Sequence, residues 1–527
     1  MRVFAVALLL AFAGCHLSDG KDPQALIARL EDKDPRARVQ ALQQLRKLGV
    51  REAAPRIARL LREPQTRAEA ARALSELGGP EQVQPLLDAL DPGGDARDNE
   101  AIARALGTLA DARATPALLK LSKAQPEPVR AAAIEALGKL KAKEAVPELS
   151  KLVDDPSAPP AVIGKALLAL GQIGDPAALP ALLHGLCLEP NRVSLLSESS
   201  LALVMIGAPA VEPLLQIAEE KNPAYFTWAR EHGRKTADVY ARVALVLGDL
   251  GDARAVPALR KKLKYVEPTA GAAAARSLTN LVRMFAASAL GRLRAVEAAP
   301  EVQALVRTTD EEDEGLSTAA AEALVWIGDR PQARELMAKS KVGKLRLRLL
   351  AAQSAALFGE PRLGRDILEL AMKEAKGAQP DCLAELRALN LPAEDPARAC
   401  DLVATQFGEL SNPLEAARVC ASDASCWLPK LRDQDPVVRA RAAYELGRAG
   451  AANAVGELAT ATADEQVLVR IAAARALEWL CAVPAARADL KSASRALAQR
   501  LSQGSATGAS MQVDEDLRRL QLKLSRL

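Results

Sequence analysis

Histidine, cysteine and one aromatic-rich stretch are the parts of this chain whose residue types could do chemistry. The three histidines, His16, His184 and His232, are too far apart in sequence to suggest a zinc set. The cysteines form no C-x-x-C pair, and there is no G-x-S-x-G elbow, Walker loop or G-x-G-x-x-G turn, so nucleophilic catalysis and phosphate cradling have no visible carrier. Two scattered carboxylates could still serve glycoside hydrolysis, but the sequence gives no way to choose them. The expectation is a protein that is not an enzyme and uses no cofactor or metal.

The aromatic stretch is more specific. Aromatic residues make up only 3% of the chain, yet Tyr225, Phe226, Trp228, Tyr240, Tyr265 and Phe285 fall within about sixty residues of one another. Arg230, Arg234, Lys235, Lys261, Lys262 and Lys264 are interleaved with them, together with His232. Rigid rings with a basic rim have the composition of a protein or peptide interface, because rings bury much area at little entropic cost. The alternative is that they cover an edge of their own scaffold.

That scaffold is legible as a repeat. In QPEPVRAAAIEALGKLKAKEAVPELSKL, from Gln125 to Leu152, the residues Val129, Ala133, Ala136, Leu137 and Leu140 fall on one face of a helix. After a short break, Val146, Leu149 and Leu152 make a second stripe, with Pro147 early, where its missing N–H costs least. Neither helix can bury its face alone, so copies must stack. Helix ends expected at Gly49, Gly78, Ala110, Lys141, Gly174, Gly207, Gly251, Arg294, Gly328 and Gly359 are 29 to 34 residues apart, except for two steps of 44 and 43. Those two steps place insertions near 218–237 and 264–279. Eleven residues before many of these ends stands an arginine, among them Arg38, Arg67, Arg130, Arg283, Arg348, Arg439 and Arg470. Where Ile163, Leu196 and Tyr240 replace it, a polar row gives way to an apolar patch beside the aromatic stretch, and this is where the sequence places partner binding.

The units beginning at Asp34, Pro128 and Asp435, such as DPVVRARAAYELGRAG, resemble HEAT repeats of the kind named after phycobilisome lyases. The resemblance implies an all-α, right-handed α-solenoid, a superhelix of about a dozen HEAT-like hairpins. It also implies that the arginines join an Asp/Arg ladder between units, with Asp34, Asp95 and Asp435 as the nearest acids. For function it implies a scaffold binding a protein or peptide partner along the groove. The alternative is a lyase-like or carrier protein for a small hydrophobic molecule.

The N-terminus carries Met1-Arg2 and an apolar run from Val3 to Ala13, long enough for a signal-peptide core and too short to span a bilayer. Ala13-Gly14-Cys15 resembles a bacterial lipobox, although Phe12 departs from the usual leucine. The resemblance implies a lipid on Cys15, and His16 in place of aspartate points to an outer-membrane lipoprotein of the cell envelope. Plain cleavage after Ala13, giving a secreted or periplasmic protein, is the alternative. A formal net charge of +4 over 527 residues leaves no concentrated basic face, so no nucleic-acid partner is expected.

The domains expected are a signal peptide at 1–14, a lipidated tether at 15–21, the repeat array at 22–377 and an irregular segment at 378–428. C-terminal repeats at 429–502, a Gly/Ser-rich linker at 503–512 and a terminal helix at 513–527 complete the chain. Cys382, Cys400, Cys420 and Cys426 crowd into the irregular segment. Clustering in an exported chain suggests disulfides, with Cys420–Cys426 and Cys382–Cys400 favoured, Cys400–Cys420 as the rival pairing and buried free thiols as the other outcome. The terminal helix, with Leu517, Leu520 and Leu524 in stripe, is expected to fold back as a cap, the alternative being a partner-binding zipper.

Overall fold

A computed structural model describes residues 22–268, 271–306, 314–327, 411–502 and 511–525. Cys15, Arg348, Cys382 and Cys400 lie outside the described residues. The chain divides into two compact units, Met1–Ile173 and Gly174–Leu527. Both are built of helical hairpins, and among the described residues every regular element is an α- or 3-10 helix.

In the first unit each hairpin opens with a longer helix: α1 (Pro35–Leu48), α2 (Arg67–Leu77), α3 (Ala96–Leu109), α4 (Glu127–Lys139) and α5 (Pro160–Ile173). Neighbours in this row pack side by side. The expected stripe is the buried one: Val129, Ala133, Ala136 and Leu137 of α4 are within 2% of full burial. The close approach depends on glycine. A Cβ at Gly138 would stand 2.8 Å from the Ala169 backbone, and Gly107 meets Ala136 in the same way at 2.7 Å.

Each hairpin then turns on one left-handed residue, for which Gly49, Ala110, Lys141 and Gly174 carry positive φ. At Lys141 the Ala142 N–H donates to the Leu137 carbonyl at 3.1 Å, closing the helix end as a Schellman-type cap does. A 3-10 turn and a short helix such as Val146–Val153 follow, with proline in the first turn as expected. Gly78 departs from the pattern, since its φ is −78° and the backbone there is extended.

The arginine row also departs from expectation in its partners. Asp34, Asp95 and Asp435 cap their own helices by accepting from the N–H two residues on. The acids that meet the arginines belong to the next hairpin: Arg38 pairs with Glu63 at 2.5 Å, Arg67 with Asp98 at 3.1 Å and Arg439 with Asp464 at 2.8 Å. The same guanidinium groups donate to carbonyls of the preceding turn, as Arg38 does to Asp32 O at 2.6 Å and Arg439 to Asp433 O at 2.9 Å. Capping uses up the nearby aspartates, so the ladder recruits the acid one hairpin later.

In the second unit the longer helices are α6 (Leu196–Ile206), the inserted α7 (Pro223–Glu231), α8 (Thr236–Leu250), α9 (Ala272–Arg292) and α10 (Glu314–Ile327). After the segment outside the described residues come α11 (Pro436–Arg448), α12 (Val467–Leu480), α13 (Arg487–Ser502) and α14 (Met511–Ser525). The extra residues near 218–237 make α7. Those near 264–279 make no separate helix and instead lengthen α9 at its start, to 21 residues. Trp326 of α10 meets Tyr444 of α11 and Trp479 of α12, with ring centroids 6.1 and 5.8 Å away. The terminal helix begins at Met511 and folds back, with Leu517, Leu520 and Leu524 fully buried against this unit. Among the described residues no single helix is long and apolar enough to cross a membrane.

Candidate functional site

The inserted helix α7 is held by its buried side. Tyr225 is 5% exposed, its hydroxyl donates to Leu183 O at 2.7 Å, and Cys187 Sγ lies 3.4 Å from that hydroxyl. Burial pushes the Tyr225 phenol well above its ordinary value and also raises the Cys187 thiol, so both stay neutral. Just beyond the helix, Arg234 and Arg242 both reach Glu189, each at 2.7 Å. Burial works against charge on Glu189, yet hydrogen bonds from the two arginines hold its carboxyl below the usual range.

A second anchor sits at the start of α8. Tyr240, 4% exposed, donates to Glu220 at 2.7 Å, and Lys262 reaches the same oxygen at 3.1 Å while its ammonium lies 3.4 Å from the centre of the Tyr240 ring. The Tyr240 hydroxyl, followed by Lys262, lowers the Glu220 carboxyl; burial, followed by Glu220, raises the Tyr240 phenol. Around this anchor Ala237, Tyr240 and Val282 form a small core against which Phe226 and Tyr265 pack. The Tyr265 hydroxyl donates to Glu267 at 2.7 Å.

Four residues assigned to a binding surface from sequence therefore belong to the scaffold: Tyr225, Tyr240, Lys262 and Ile163. Ile163 is 2% exposed in α5 of the other unit, where it packs in the core. Of the four, Ile163 and Tyr240 stand where other hairpins carry the arginine, and both make buried contacts there. Leu196, Phe226 and Tyr265 are half-buried.

What faces solvent is narrower. Trp228 is half-buried and stacks on two imidazoles, His184 at 3.9 Å with 9° between the planes and His232 at 4.2 Å with 26°. Arg230 and His232, in and just after the same helix, are exposed, as are Lys261 and Lys264 farther along the chain. Sequence reading put His232 in this patch but left out His184, because the two are 48 positions apart and only the docking of α7 brings them to one ring. The arrangement can present a rigid, electron-rich ring to an apolar group.

Cys420 and Cys426 come together across the turn between two helices, with Cα atoms 5.3 Å apart and the sulfurs within bonding distance. Trp427 beside them is buried, and its indole donates to Ala421 O at 2.9 Å.

The family model described as HEAT repeats matches residues 23–107, 93–161, 115–202 and 425–505, and that of the PBS lyase HEAT-like repeat matches 239–265. Nothing among curated proteins matches the chain. Among solved structures, the Kap95:Nup1 complex is similar at 13% identity and a TM-score of 0.47, covering 94% of this chain and 70% of that one. Human deoxyhypusine hydroxylase with glycerol is 22% identical, with a TM-score of 0.22 and coverage of 53% and 98%. The CpcE–CpcF complex of phycocyanin lyase from Nostoc sp. PCC7120 is 20% identical, with a TM-score of 0.25 and coverage of 61% and 99%. The chain is an all-α protein of HEAT repeats, one of them of the PBS-lyase type.

Proposed function

We propose that this protein is a non-catalytic scaffold of the cell envelope, held at the outer membrane through a lipid on Cys15, that captures a protein or peptide on the solvent side of α7. The observation that carries this reading is the Trp228 stack: one half-exposed ring, fixed by two imidazoles, on a helix that exposes Arg230 and is anchored by the buried Tyr225. A ring already ordered in the free protein loses little entropy on binding. The apolar run before Cys15 supports export and lipidation.

Two experiments test it. Crosslinking in intact cells, with Trp228→Ala and Arg230→Ala combined, should lose the captured partner while the melting temperature stays within a few degrees of wild type. Capture at the wild-type level removes the surface from the proposal. Cys15→Ala should release the chain from the membrane fraction or leave it unprocessed, and unchanged retention argues against the lipid. A second reading, a carrier for a small hydrophobic molecule, draws on the PBS-lyase-type repeat at 239–265, which contains Tyr240 and Tyr265. A coloured or lipid-like compound co-purifying with the protein would favour it.

A further inference from the structure

The row formed by α6, α8 and α9 carries polar groups that a solvated helix face does not need to bury. Asp249 of α8 is 3% exposed and pairs with Arg292 of α9. Ser200 of α6 is fully buried. Both meet one residue of the terminal helix: Arg519 donates to Ser200 Oγ at 3.0 Å and lies 3.3 Å from the Asp249 carboxylate. One turn on, Lys523 reaches Glu478 of α12 at 3.2 Å. Between these contacts Leu517, Leu520 and Leu524 are fully buried, and α14 packs against α6, α12 and α13.

The two acids that α14 touches each have a second cation that belongs to the scaffold. Asp249 keeps Arg292, and Glu478 keeps Arg475 at 2.7 Å. An acid buried with only one partner would be stranded when that partner left, which is the costly way to break a buried pair. Here the helix can leave without stranding either carboxylate, and Arg519 and Lys523 go back into water. The two cations of α14 thus add to pairs that stand without them, and its leucines and charges complement a face that stays paired when it leaves.

We propose that the face made by α6, α8, α12 and α13 is a docking groove for an amphipathic helix, that α14 is its resident occupant, and that a partner helix of the same chemistry displaces it. That chemistry is leucines at i, i+3 and i+7 on one stripe, an arginine at i+2 over Asp249 and Ser200, and a lysine at i+6 over Glu478. This mode of recognition is helix-in-groove. It does not involve the Trp228 surface, so either can fail without the other.

The test uses the full chain and, as probe, a fluorescein-labelled peptide of residues 511–527. Leu520→Asp combined with Leu524→Asp in the full chain should eject the resident helix. Fluorescence anisotropy should then show the peptide binding at least tenfold more tightly than to the wild-type chain, where the resident competes at high effective concentration. The same peptide with Arg519→Glu should bind at least tenfold more weakly. A double variant that keeps its melting transition but binds no peptide, or binding that ignores Arg519→Glu, overturns the proposal. Should the double variant lose its fold, hydrogen exchange on the wild-type chain decides. Amides of α14 exchanging at least tenfold faster than those of α12 support a displaceable occupant, and exchange of the two helices at one common rate overturns it.

Discussion

The Met1–Ile173 and Gly174–Leu527 units solve the same local problem with an arginine at most long helices, Arg439 and Arg470 of the second unit included, and differ at α8. Every long helix must be tied to the turn before it, because that turn carries carbonyls the repeat cannot pair with itself. In the first unit a guanidinium does this: Arg38 donates to Asp32 O, Arg67 to Leu61 O and Arg130 to Ser122 O. Each reaches back six to eight residues. At the equivalent place in α8 stands Tyr240, whose hydroxyl donates to the Glu220 side-chain carboxylate, twenty residues back. The inserted α7 has moved the tie point away, and a set of buried Tyr240, buried Lys262 and exposed Glu220 replaces one arginine. Loss of the arginine therefore marks an altered tie and not an exposed apolar patch.

The largest effect should come from breaking the altered tie's neighbour. Tyr225→Ala removes a buried ring and its hydroxyl bond to the Leu183 carbonyl, which should cost about 3–5 kcal/mol in urea unfolding. Trp228→Ala, three residues along the same helix but half-exposed, should cost under about 1 kcal/mol. Equal losses at the two sites would mean that α7 has no solvent side.

Repeat and register could be read from the sequence because they rest on local rules. Seven of the ten expected helix ends, Gly49, Ala110, Lys141, Gly174, Gly207, Gly251 and Arg294, carry positive φ. Gly328 and Gly359 lie outside the described residues. Partners were less legible. The ladder acids Glu63, Asp98 and Asp464 were missed because the nearest aspartates are spent on caps, a competition that periodicity does not reveal. The residues near α7 were legible by type, since aromatics and cations do cluster there in the sequence. Their burial was not, because it depends on where an inserted helix docks, as the meeting of His184 with Trp228 shows. The ring set Trp326, Tyr444 and Trp479 was missed for the same reason, since its members come from distant parts of the chain.

Glycine at the long-helix contacts gives a second comparison, because both units use it. Gly138→Val in the first unit and Gly447→Val in the second should each cost about 1–3 kcal/mol, measured by thermal and urea unfolding. A Cβ would approach the facing Ala169 backbone to 2.8 Å and that of Ala476 to 2.6 Å. A Gly447→Val protein as stable as wild type would show that α11 and α12 can slide apart where the regular row cannot.

The ladder predicts a pH dependence in the second unit. Burial would raise the Asp464 carboxyl, but hydrogen bonds from Arg439 and the Gln466 N–H outweigh it and hold the group below its ordinary value of 3.8. A carboxyl lowered by folding adds stability in full above the unfolded value and loses it as pH falls through the folded one. Cooling of the melting temperature between about pH 5 and about pH 3 should therefore be smaller in Asp464→Asn than in wild type, and the variant should be about 1–2 kcal/mol less stable at neutral pH. Parallel pH profiles for the two proteins would show that the pair with Arg439 adds nothing to folding.

The smallest effect should be a gain. Lys141 closes α4 with φ of 52°, a left-handed conformation that crowds its Cβ, whereas Gly49 and Gly174 hold the equivalent place without strain. Lys141→Gly keeps the Ala142-to-Leu137 hydrogen bond, since that bond uses only backbone atoms of the neighbours. The relief of strain is opposed by the greater freedom of glycine in the unfolded chain, so the net gain should be about 0.5–1 kcal/mol, read as a rise of a degree or two in melting temperature. Arg294→Gly starts from the same φ of 52°, but Arg294 also lies over the Trp479 ring at 4.5 Å, so that change should gain less or lose stability. If both substitutions stabilised the protein equally, the arginine's contact with Trp479 would carry no weight, and the turn after α9 would be as local as the turn after α4.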